Sequence, residues 1–205
     1  MRIVVTAFLF SLTFFVVKAQ NNTKNIASIA IGTEIPQADY KMEDVSGEMV
    51  SLNSVKKKNG LLVIFSCNTC PYVLAWQDRY IPLGNWTLEN NVGFVLVNSN
   101  EAQRKDVDAL KKMKEHAAKN KYNTFYAEDK NSELANAFGA TRTPEVFLFD
   151  GNGKLVYKGA IDDNMEDSNA VVKNYLGIAL QNLLTGTPID PNSTKSIGCT
   201  IKRLK

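Results

Sequence analysis

Apolar residues fall in two kinds of pattern along this chain, unbroken short runs and helix-spaced stripes. Leu61-Leu62-Val63-Ile64-Phe65 is a continuous run of five, the pattern of a strand buried on both faces of a sheet. Gly93 to Val97 repeats it. Between the two, Tyr72 to about Tyr80 sets Val73, Trp76, Gln77 and Tyr80 near one helical face until Pro82 and Gly84 interrupt the pattern. Glu101 to Lys121 places Val107, Leu110, Met113 and Ala117 at helical spacing among many charges, which predicts a long amphipathic surface helix. Asn123 to Tyr126 predicts a short strand, and Ser132 to Phe138 a short helix stopped by Gly139. Tyr40 to Leu52 alternates around Ser46-Gly47 and predicts a hairpin. A second hairpin is predicted from Glu145 to Tyr157 around Asp150-Gly151-Asn152-Gly153. A closing helix is expected over Val171 to Leu184, with a loose lead-in from Asn21 to Pro36. This order predicts an α/β layer structure with parallel crossovers and an antiparallel edge.

The first residues read differently. Arg2 gives a basic start, Ile3 to Val17 are apolar apart from threonine and serine, and Val17-Lys18-Ala19 offers a small-residue cleavage site. The run is shorter than the roughly twenty residues that span a bilayer. Residues 1–19 are therefore expected to be a signal peptide. With no cysteine at the cleavage point to carry a lipid, the product is expected to be secreted or periplasmic, with no membrane insertion after cleavage. The 24 basic and 21 acidic side chains leave a formal charge of +3, which becomes +1 once Arg2 and Lys18 are removed. The lysines are dispersed, so no nucleic-acid footprint is expected. At 44% apolar content the chain can fill a core without a disulfide framework.

Three cysteines is an odd count for an exported protein, which points to a reactive thiol or an exchangeable pair. Cys67 and Cys70 form a C-x-x-C directly after the Leu61–Phe65 run and before a helix pattern. A thiolate at a helix start faces unpaired backbone N–H groups and the positive end of the helix dipole, both of which favour the charged form. Pro71 suits the first helical position, so Cys70 is expected to be the N-cap and the more reactive thiol, with Cys67 in the preceding loop. Closing the pair requires a turn, which Asn68 suits. An inert structural disulfide, or two buried thiols, is the alternative. A structural zinc site wants four ligands, whereas the only histidine, His116, falls on a charged helix where it is expected to be solvated. Neither a metal nor a cofactor is expected.

Phe65-Ser66-Cys67-Asn68-Thr69-Cys70-Pro71-Tyr72-Val73, then Thr143-Pro144-Glu145-Val146-Phe147-Leu148-Phe149-Asp150 with Gly151-Asn152-Gly153, resembles the redoxin branch of the thioredoxin superfamily, and more narrowly a peroxiredoxin-like group. The tail Ser196-Ile197-Gly198-Cys199-Thr200-Ile201-Lys202 is similar to that group's. The resemblance implies a thioredoxin-like domain over residues 28–186, a central mixed sheet flanked by helices with an N-terminal hairpin, and a C-terminal tail over 187–205. It also implies a cis Pro144 against the active-site sulfur and a Thr143 backbone that pairs with bound substrate.

This chain departs from the family in its cysteine spacing. Counted from Phe65, Cys70 stands at the family's nucleophile position and Val73 at its partner position, so the second cysteine, Cys67, is shifted upstream. The family's buried acid falls at Ile64, and the peroxidase pattern P-x-x-x-T-x-x-C is missing. The expected function is exported thiol–disulfide exchange through Cys70 with Cys67, and with Cys199 as a possible resolving thiol. Its partners would be exported proteins carrying thiols or disulfides and an upstream redox protein. A thiol peroxidase, a non-enzymatic binding module on the same fold and a copper carrier using the soft sulfur pair are the other readings.

Overall fold

In the computed structural model, which describes residues 27–204, the elements follow the apolar pattern closely. They are β1 (Met42–Asp44), β2 (Met49–Val50), α1 (Leu52–Val55), β3 (Gly60–Ser66), α2 (Pro71–Trp76), α3 (Tyr80–Glu89), β4 (Val92–Asn98), α4 (Leu110–Lys119), β5 (Phe125–Glu128), α5 (Glu133–Phe138), β6 (Arg142–Thr143), β7 (Glu145–Asp150), β8 (Leu155–Gly159), α6 (Tyr175–Thr185) and β9 (Cys199–Thr200). The expected signal peptide lies outside the described residues.

Seven strands form one mixed sheet in the order β2-β1-β5-β4-β3-β7-β8. Its centre is parallel, β3 with β4 and β4 with β5, while β7 runs antiparallel to β3 and returns through the β7–β8 hairpin. Every residue of β3 is buried because helices cover both faces, so its side chains alternate between two cores. Leu62 and Ile64 pack with Val73, Trp76, Tyr80, Met113 and Leu176 on one face. Leu61, Val63 and Phe65 pack with Leu52, Val55, Leu134 and Phe138 on the other. There Phe65, Phe138 and Phe147 meet edge-on, with ring centroids 5.1 to 5.7 Å apart. The fold is thioredoxin-like, with β6 and β9 forming a separate two-stranded ribbon.

The structure differs from the sequence expectation in four places. Pro82 and Gly84 do not end a helix: α3 runs through both, since Pro82 occupies the first turn, where a missing N–H breaks no helical bond. The long helix expected over 101–121 is shortened to α4, because Asp108 turns inward and its buried carboxylate is used by three amide groups from other segments. The final helix begins at Tyr175, where Asn174 caps it by accepting from the Gly177 amide at 3.0 Å. The lead-in is pinned from Ile29 onward by backbone bonds to Phe138, Leu155 and Gly153.

Candidate active site

β3 delivers the chain to the C-terminal end of the sheet, and Cys67-Asn68-Thr69 bends there before α2 starts. Cys70 is the N-cap of α2, with extended backbone (φ −65°, ψ 123°), and Pro71 takes the next position. Cys67 and Cys70 are 2% and 4% exposed, so both sulfurs are nearly removed from water. The cis Thr143-Pro144 peptide lies directly against them. Cys70 Sγ is 3.2 Å from the Thr143 carbonyl, to which it donates as a thiol, and Cys67 Sγ is 3.5 Å from Thr143 Oγ1. The third cysteine arrives from the far end of the chain, because β9 pairs antiparallel with β6 and sets Cys199 opposite Thr143. Its sulfur comes near enough to Cys70 for the two to bias each other's protons. All three cysteines are free thiols in the structure.

These neighbours sort the three protons. Cys70 is held well below the usual thiol range, foremost because the Cys67 thiol donates to it. Burial opposes this, and the Cys199 thiol and the Val73 N–H of the first helical turn add to it. Cys67 is pushed up because it is the donor to Cys70, because it is buried, and because the Asp108 carboxylate faces it. Cys199 is pushed up by partial burial and by the charge on the neighbouring Cys70. Negative charge therefore collects on Cys70, while the other two sulfurs keep their protons.

The loop that carries Cys67 is fixed by a polar network that sequence patterning does not reveal. Asp108 Oδ1 accepts from the Asn68 amide at 3.0 Å and from Asn98 Nδ2 at 2.8 Å, while Oδ2 accepts from Asn100 Nδ2 at 2.9 Å. Tyr126 OH donates to Asn68 Oδ1 at 2.8 Å and accepts from Asn98 Nδ2 at 3.0 Å. Asn100 Oδ1 in turn accepts the backbone N–H of Lys202, which ties the tail to the same network. Ile64, at the position of the family's acid, is fully buried in the core; the buried carboxylate near Cys67 comes instead from the segment before α4. The cluster Asn98-Ser99-Asn100 at the end of a buried strand was the one signal of this network in the sequence. Glu145 serves the opposite wall: its Oε2 accepts the Thr141 and Arg142 amides at 2.7 and 2.9 Å and holds the approach to Pro144. His116 is half-buried rather than solvated, with Nε2 3.1 Å from Tyr122 OH.

Comparison with known proteins places these features in context. The Redoxin family profile matches residues 30–176. An uncharacterized conserved protein from Geobacillus kaustophilus superposes with a TM-score of 0.79 at 33% identity, covering 85% of this chain and 93% of that one. A hypothetical protein from Sinorhizobium meliloti 1021 gives 0.78 at 30% identity, covering 87% and 97%. A thioredoxin-like protein solved in its oxidized form gives 0.60 at 19% identity, covering 78% and 99%, a likeness of fold alone. A search of curated proteins returned no significant match.

Proposed function

Given that the chain belongs to the Redoxin family, we propose that it is an exported thiol–disulfide oxidoreductase in which Cys70 is the attacking sulfur. The observation that carries this reading is the convergence of three cysteines on the start of α2, beside the cis Thr143-Pro144 peptide, with the negative charge drawn to Cys70. In the forward step the Cys70 thiolate attacks one sulfur of a substrate disulfide. A mixed disulfide forms, and the other substrate sulfur leaves as a thiolate that takes up a proton. Cys67 then gives up its proton, attacks Cys70 Sγ and expels the second substrate sulfur. The substrate gains two electrons and the protein is left with a Cys67–Cys70 disulfide, which an external dithiol must reduce. Cys199, opposite Thr143 on β9, is the alternative thiol for the same resolving attack. Thr143 and Pro144 form the wall on which substrate rests.

Export is supported by the basic start, apolar run and small-residue site of residues 1–19. The partners are then exported proteins with thiols or disulfides and an upstream reductant or oxidant. Insulin-disulfide reduction by the purified chain from Gln20 tests the reading, with peroxide consumption run in parallel. Turnover of insulin that is lost in Cys70→Ser is the expected result; peroxide turnover alone would replace it with the peroxidase reading. A Cys67→Ser, Cys199→Ser double variant should retain mixed disulfides on Cys70, which mass spectrometry of the trapped species would identify.

A further inference from the structure

The ribbon formed by β6 and β9 takes up a strand edge beside the reactive sulfur. A short exposed edge is where an extended polypeptide binds, since it offers main-chain hydrogen bonds to any sequence. Here that edge is already filled. Arg142 is opposite Thr200 and Thr143 is opposite Cys199, and the Ile201 N–H continues the pairing by donating to the Thr141 carbonyl at 3.1 Å. The approach is close: a Cβ added to Gly198 would stand 2.2 Å from the Thr143 carbonyl oxygen, so only glycine passes there. Beyond the paired residues the segment is fastened to the body of the protein. Ile201 is 6% exposed in the second core, Lys202 exchanges bonds with Ala102 and Asn100, and Arg203 Nη2 donates to the Ala140 carbonyl at 2.6 Å.

We propose that residues 198–203 are a strap that occupies, in cis, the polypeptide-binding edge of the active site, so that an extended cysteine-bearing polypeptide reaches Cys70 by exchanging places with β9. Cys199 then stands where the sulfur of such a polypeptide comes to lie. The register supports this, because the one residue of β9 that faces Thr143 is a cysteine, and the Thr143 carbonyl is the group 3.2 Å from Cys70 Sγ. Small disulfides need no backbone pairing and are not in competition with the strap. The inference rests on the proposed exchange chemistry only for its consequence in turnover; the occupied edge stands by itself.

Two full-length variants open the edge by different means. Gly198→Val drives the tail off Thr143 by collision, and Ile201→Pro removes the strand N–H that donates to the Thr141 carbonyl and stiffens the backbone. The probe is a fluorescent peptide with the sequence of residues 196–203 in which cysteine is replaced by serine, and its binding is followed by anisotropy. A tethered strap competes at high effective concentration, so both variants should bind the peptide at least about tenfold more tightly than the parent chain. Equal affinities would overturn the proposal whatever the exchange rates are. In a second arm, the ratio of insulin reduction to reduction of a small aromatic disulfide should rise in both variants. A parent chain that reduces neither compound would sink the exchange reading, while the peptide affinities would still decide the strap.

Discussion

At Cys70 thiol and backbone donors together lower the pKa of one sulfur, and the weight of the strongest can be measured. Cys67→Ala removes the strongest donor, whereas Cys67→Ser leaves a hydroxyl in its place, so the apparent Cys70 pKa from thiolate absorbance should rise more in the alanine variant. Asp108 is the next position to test. Replacing it with alanine takes one acceptor each from the Asn68 backbone amide and the Asn98 and Asn100 side-chain amides, all buried, which should cost about 3 kcal/mol in denaturant unfolding. Asp108→Asn keeps the shape and removes the charge that faces Cys67, so it should lower the Cys67 pKa with a smaller loss of stability. Cys67 and Cys70 were readable because they sit in one contiguous segment with recognisable turn and cap chemistry, whereas Thr143 and Pro144 were reached only through the family resemblance. Asp108, Asn98, Asn100 and Tyr126 were not readable, since residues of their types are ordinarily solvated and only the fold brings these four segments together. His116 was misread for the same reason, its partner Tyr122 being invisible until α4 packs.

Strands were easier to place than helices. β3, β4 and β7 are buried on both faces, and that burial imposes the unbroken apolar runs by which they were recognised. Helix ends depend on single contacts. Pro82 reads as a breaker in sequence yet sits harmlessly in the first turn of α3, so Pro82→Ala should change unfolding free energy by less than about 1 kcal/mol. Gly93, at the start of β4, looks unremarkable in the sequence but is tightly constrained: an added Cβ would stand 2.2 Å from the Val55 carbonyl oxygen at the end of α1. Neither backbone can yield cheaply, and Gly93→Ala should destabilise the protein by about 2–3 kcal/mol. The tail was the least legible element, because two residues of strand carry no periodicity and their pairing with β6 is a contact between distant parts of the chain.

For the molecule as a whole, the charge on Cys70 links the redox state to stability. A thiol whose pKa is lowered by folding stabilises the folded reduced state. That contribution is complete above the ordinary thiol pKa of about 8.5 and is lost as the pH falls through the lowered value. Closing a Cys67–Cys70 disulfide removes it, so the reduced protein should melt above the oxidised one at neutral pH. The gap should narrow on acidification, and calorimetry of both forms across a pH series would show it. A gap that widens toward acid would contradict the charge assignment. The position of β9 along the chain adds a matter of timing. Thr143 leaves the ribosome 56 residues ahead of Cys199, an interval of roughly 3–11 s at ordinary rates of synthesis. Through that interval the segment that will cover the β6 edge does not yet exist, so each newborn copy passes through a period in which its strand edge is open to any extended chain nearby.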